Sequence, residues 1–293
     1  MKYADRTGRI HGNDTLQDKF LRLLYGSLPG RLLLKPLIHP CVSRIGGYLL
    51  DSSLSSILIG PFMRSCGISL RDCEIPPTGS YRSFNAFFTR SLKEGARPFD
   101  MDPDVLCSPC DGLVSAYPIS RTRHFFIKHT DYTLDQLLKD HKLASRYTGG
   151  TALVFRLTVS DYHRYAYIDD GKRSSYRRIP GVLNTVNPSA AASRPIYKEN
   201  TREYALIKSQ NFGTVLMMEV GAMMVGRIMN HHKAYTSLDV FRGQEKGYFA
   251  FGGSTVILLF EPGAVRIDRD ILRNTALDIE TGVRMGEPVG RRA

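Results

Sequence analysis

Near the C-terminus the chain reads KGYFAFGGSTVILLFEPG, from Lys246 to Gly263. Two glycines and two hydroxyl residues, Gly252-Gly253-Ser254-Thr255, stand directly against the apolar run Val256 to Phe260. That run is short, β-branched and closed by Glu261-Pro262-Gly263, so it reads as a buried strand. Its lead-in has two readings: a glycine turn, or a serine whose hydroxyl does chemistry on its own backbone.

Three other clusters carry residue types suited to chemistry. In SPCDG, Ser108 to Gly112, Asp111 precedes a glycine, which is either a plain Asp-Gly turn or a positioned carboxylate. In DYHRYAYIDDG, Asp161 to Gly171, His163 is flanked by an acid and a base, and an imidazole titrates near neutrality as proton transfer requires. EVGAMMVGRI, Glu219 to Ile228, is rich in small residues and reads best as close backbone packing. Cys107 and Cys110 form a C-x-x-C, but no second pair lies at zinc-ribbon spacing, so neither a metal nor a redox role is favoured.

The elements that must position these residues fall into two kinds. Asn13-Asp14-Thr15 offers helix caps before Leu16, Phe20, Leu23 and Leu24, which share one helical face up to Gly26. RLLLKPLIHP, with Arg31 and Lys35 around three leucines, and ILIGPFM, Ile57 to Met63, continue an amphipathic, basic N-terminal region. Such segments lie in a lipid interface or pack on their own domain. Ser83 predicts a cap for a short helix carrying Phe84, Phe87 and Phe88, and Thr133 with Gln136 forms a capping box before Leu134. From Thr151 the pattern turns to strands: TALVFRLTV, TVLMMEV (Thr214 to Val220) and STVILLF. The expected fold is α+β, a helical N-terminal segment followed by a strand-rich β-sheet core.

Composition narrows the classes further. The 293 residues suffice for one large core or two modest ones, and five cysteines without a regular framework point to a reducing compartment. The N-terminus lacks the apolar stretch of a secretory signal, and no run approaches the roughly 20 apolar residues of a spanning helix. A net charge of +12 favours polyanions. Without zinc-finger spacing or an aromatic RNA-recognition signature, an anionic membrane surface is a better partner than nucleic acid.

Taken in order, YRSFNAFFTRSLKEGARPFD, SPCDG, DYHR, YKENTREY, EVGAMMVGRI and KGYFAFGGST resemble the phosphatidylserine decarboxylases from about Tyr81 to Gly263. The resemblance implies a proenzyme that cuts itself at the Gly253–Ser254 bond, giving a large chain 1–253 and a small chain 254–293. Ser254 would attack the Gly253 carbonyl, and glycines at 252 and 253 allow the backbone dihedrals that this needs. Elimination and hydrolysis would then convert Ser254 to a covalent pyruvoyl cofactor. That carbonyl takes up the substrate amine and the electrons left as CO₂ departs, yielding phosphatidylethanolamine. His163 would return the proton. The implied partner is phosphatidylserine, an anionic phospholipid, met peripherally on the cytoplasmic face of a membrane, with a homodimer common in the family. Residues 1–80 would form the membrane-associating region and 81–293 the decarboxylase core.

One departure stands out. The family's second histidine, two residues beyond DYHR and oriented by the SP-x-DG aspartate, activates the serine; here that position is Ala166. Alanine cannot accept a proton. His163 would then serve both steps, or Asp111, His231 or His232 would substitute, or the chain would stay uncut as a lipid-binding relative. A decarboxylase of another serine-bearing lipid or of a soluble amine is the remaining alternative.

Overall fold

The computed structural model describes residues 2–12, 23–127, 130–186, 196–222, 227–250 and 254–293. The proposed caps at 13–15, Leu16 and Phe20, the Met223–Gly226 stretch and the glycines 252 and 253 lie outside them. The fold is α+β, about 25% helix and 34% strand, with helices leading into a large mixed sheet.

The eleven-stranded main sheet is built around its most apolar segment. Ser254–Phe260 is buried along its whole length. It lies antiparallel between Thr214–Val220 and Thr151–Leu157, with Ser254 opposite Leu157 and Thr255 opposite Val220. Beyond Thr151–Leu157 come Gly112–Pro118 and Glu280–Val283. β-Branched and aliphatic side chains cover both faces of such a strand, which suits a central position. Alternate residues feed two cores. Ile257 and Leu259 join Tyr132, Leu134, Ile196 and Tyr197 on one face. Val256 and Leu258 join Phe155, Tyr165, Phe249 and Ile271 on the other.

Over this second face packs a three-stranded sheet of Arg164–Ala166, Glu245–Phe249 and Ile228–Asn230. It brings a fully buried ion pair with it. Lys246 Nζ donates to Glu219 Oε1 at 2.6 Å, and Asn230 bonds both groups. Glu219 stands opposite Val256, so the pair shares Ser254's face of the sheet.

The N-terminal region is helical after a short hairpin. Tyr3–Ala4 and Ile10–His11 pair with one another, and Tyr3–Ala4 adds in parallel to Glu280–Val283. Two-residue strands leave no hydrophobic period to read; Arg6 fixes them through Asp268 and Asp270 at 2.7 and 2.9 Å. Helices Leu28–Leu37, Pro40–Asp51 and Ile59–Cys66 follow, the first capped by the Ser27 hydroxyl. Ser83 caps the Phe84–Phe88 helix and Thr133 caps Leu134–Leu138, the contacts their sequences predict. The Phe84 N–H donates to Ser55 Oγ, and Asn85 donates to Asp51, tying this helix to the N-terminal layer.

Removing one partner of the buried ion pair strands the other charge, so Lys246→Met should cost about 3–5 kcal/mol in urea unfolding. Adding Glu219→Leu should recover most of that loss. A single variant as stable as the double would show that the pair carries no buried charge.

Candidate active site

Ser254 is the first residue of the central strand, and its hydroxyl is fully buried. The Thr158–Asp161 turn follows the neighbouring strand and delivers His163 to it. Asp161 holds the turn, its carboxylate accepting the Thr158 N–H at 2.6 Å. His163 Nε2 lies 2.9 Å from the Thr158 carbonyl oxygen. A carbonyl only accepts, so Nε2 carries the proton and Nδ1 of the neutral ring is bare. That Nδ1 faces Ser254 Oγ at 3.4 Å. Phe88 packs over the imidazole with ring centroids 4.2 Å apart, so the Phe84–Phe88 helix also walls the site.

The electrostatics keep this ring neutral. Burial pushes His163 down to about 3, opposed by the Thr158 contact and reinforced by the nearby Arg90 charge. Burial lifts Asp161 to about 6, against the hydrogen bonds from Thr158.

Asp111 is placed nearby but is already engaged. Arg97 grips its carboxylate with two hydrogen bonds, Nε at 2.9 Å and Nη2 at 2.7 Å, and the Met285 N–H adds a third at 2.8 Å. Gly112 has φ +148°, and a Cβ there would meet the Arg156 carbonyl oxygen at 2.7 Å, so this Asp-Gly step needs its glycine. Arg156 pairs with Leu113 and borders Leu157, Ser254's partner, so Asp111 enters a strand two places from the serine's, with Thr151–Leu157 between them. Ala166 lies in the strand after His163, buried, its N–H bonded to the Pro109 carbonyl at 2.9 Å. His231 is paired with Glu245 at 2.7 Å. Among the described residues, His163 is the side chain hydrogen-bonded to Ser254. Cys107 and Cys110 are free, buried thiols, and no metal-holding cluster occurs among the described residues.

Sequence reasoning missed Arg97, Phe88 as a site wall, and Arg90. Arg97 and Asp111 are 14 residues apart with no periodicity linking them, and only the fold brings them together.

A buried serine at the head of a central strand, faced by a neutral histidine, is the arrangement of an enzyme that activates a hydroxyl. Residues 84–291 match the family model described as phosphatidylserine decarboxylase. The chain is 42% identical to phosphatidylserine decarboxylase proenzyme 2 of Clostridium acetobutylicum, over 92% of this chain and 91% of that one. It is 40% identical to a phosphatidylserine decarboxylase proenzyme of Ruminiclostridium cellulolyticum, over 98% and 96% of the two chains. A proenzyme of the same name from Fusobacterium nucleatum is 38% identical, over 99% and 97%. The chain belongs to the phosphatidylserine decarboxylase family.

The pH dependence of stability tests the two buried titrating groups. His163 is neutral down to about pH 3 when folded, but binds a proton near 6.5 when unfolded, so its stabilising contribution is lost as pH falls through that window. Asp161 runs the other way: its folded carboxyl protonates near 6 rather than 3.8, so acidification there favours the folded chain. The two slopes oppose each other between about pH 6 and 4. In an uncleavable Ser254→Ala background, Asp161→Asn should make unfolding free energy fall by up to about 1.4 kcal/mol more per pH unit in that window. Equal slopes would mean that Asp161 is solvated.

Proposed function

We propose that the chain is a pyruvoyl-dependent phosphatidylserine decarboxylase, matured by its own cut at Gly253–Ser254 and working on a membrane surface. The observation that carries this reading is the bare Nδ1 of a neutral His163 facing the buried Ser254 hydroxyl. His163 takes the Ser254 proton as Oγ attacks the Gly253 carbonyl carbon, and the proton passes on to the departing nitrogen. The amide has become an ester. Loss of the Ser254 Cα proton and cleavage of the Cβ–O bond release chain 1–253 with a free carboxylate. Water then displaces ammonia at Cα of residue 254, and chain 254–293 begins with a pyruvoyl group. Asp111, saturated by Arg97 and Met285, holds the SPCDG turn against the C-terminal segment rather than acting as the base.

The pyruvoyl group fits because it takes the place of Ser254 itself, within reach of His163, and it supplies a carbonyl that draws off the electron pair left as CO₂ departs. His163 Nδ1 is placed to take a proton from the substrate ammonium and later hand it to the carbon that lost the carboxylate. Phe88 and the surrounding core exclude water, which favours loss of charge from a carboxylate.

No helix among the described residues is long and apolar enough to cross a membrane. The N-terminal helical layer nevertheless exposes Leu32, Leu33, Ile45, Leu49, Leu54 and Ile57. An apolar surface of this extent on a chain of net charge +12 suits an anionic bilayer. Residues 1–80 are accordingly the membrane-associating region and 81–293 the core that carries the chemistry.

Incubation with vesicles of carboxyl-labelled phosphatidylserine should release labelled CO₂ and form phosphatidylethanolamine, while free serine is left untouched. His163→Gln should slow self-cleavage at least about a hundredfold. Leu54→Glu with Ile57→Glu should weaken vesicle sedimentation by about tenfold or more. An uncut chain that binds vesicles without releasing CO₂ would instead make it a lipid-binding relative, the reading that Ala166 favours.

A further inference from the structure

Arg90 follows the Phe84–Phe88 helix and is only 6% exposed, yet its guanidinium is nearly unpartnered. Nε is buried without a hydrogen-bond partner, and Nη1 reaches only the Phe87 carbonyl at 3.5 Å. The group lies over the Phe87 ring, 5.1 Å from its centroid. No carboxylate pairs with it among the described residues. Other buried arginines are better satisfied: Arg156 by Glu280, Arg242 by Asp169 and four carbonyls, Arg202 by four carbonyls, and Arg173, whose Nε is also unpartnered, by three carbonyls through Nη1 and Nη2. A desolvated guanidinium is costly without an anion, so Arg90 is built for a partner that arrives from outside the chain.

Its surroundings say which partner. The Arg90 charge bears on His163, and Phe88, two residues before it, packs against that ring. On the other side the same helix is bonded to Ser55 and Asp51 of the N-terminal layer with its exposed leucines. Arg90 thus stands between the reacting centre and the surface proposed to meet lipid. An amino-phospholipid offers two anions, a carboxylate and a phosphodiester. An arginine fork on the carboxylate would stabilise the charge that must be lost as CO₂ and so slow the reaction. A fork on the phosphodiester, one short tether from the amine-bearing carbon, orients the headgroup without opposing the chemistry.

We propose that Arg90 is the substrate-binding residue that takes the phosphodiester of the lipid headgroup. This rests on the decarboxylase reading above. The test uses full-length protein and soluble dihexanoyl-phosphatidylserine, which separates headgroup recognition from membrane docking. Arg90→Gln should still cut itself, and its KM should rise by about tenfold to a hundredfold with a much smaller change in kcat. Arg90→Lys, which keeps the charge without the fork, should fall between the two. Inorganic phosphate should compete with substrate in the parent and lose that effect in Arg90→Gln, whereas acetate should not compete. Should Arg90→Gln not mature, Arg90→Lys carries the same measurements. An unchanged KM in the cleaved variant overturns the proposal, as does Arg90-dependent competition by acetate or a loss confined to kcat. If the parent neither cuts itself nor releases CO₂, the functional reading fails instead.

Discussion

The structure depends on one constraint: the Ser254 hydroxyl stands at the very start of the most buried strand, between two long antiparallel partners. That position fixes the backbone on the C-terminal side of the 253–254 bond. It also decides which base is available. Only a group arriving on the same face of the sheet can reach Oγ, and the turn after Leu157, Ser254's partner, brings His163 there.

The same placement makes an internal cut tolerable. Residues 254–293 supply the central strand, the Glu280–Val283 strand against Gly112–Pro118, and the Pro288–Arg292 strand against Val105–Cys107. They also supply the Arg269–Ala276 helix, with Ile271 and Asn274 buried. A segment woven into two sheets is held by its ladders and its core contacts, so breaking one peptide bond at its head leaves it in place. The Asp111 carboxylate, bridging Arg97 and the Met285 N–H, is one further clasp between the two parts.

Much of this was legible in the sequence, for physical reasons that vary by element. Thr214–Val220 and Ser254–Phe260 announce themselves because a strand buried on both faces must be apolar throughout. Ser83 and Thr133 were legible as caps because helix ends need local acceptors. Ser254, His163 and Asp111 were singled out by residue type and by a family resemblance, but the two kinds of contact that define the site were not. The Arg97–Asp111 clamp and the Phe88–His163 ring contact join residues with no periodic relation in the chain, and no local pattern encodes them. The strand Arg164–Ala166 was equally silent, since three residues carry no readable period. Arg90 lay within one of the matching motifs, and its significance is that no carboxylate pairs with it among the described residues, which only packing reveals.

The most direct measurement is the intact mass of the purified protein. Self-activation by His163 predicts two chains, 1–253 and 254–293, the smaller lighter by one ammonia than the same peptide beginning with serine. A single unbroken chain of 32.9 kDa after prolonged incubation with phosphatidylserine vesicles would contradict the account.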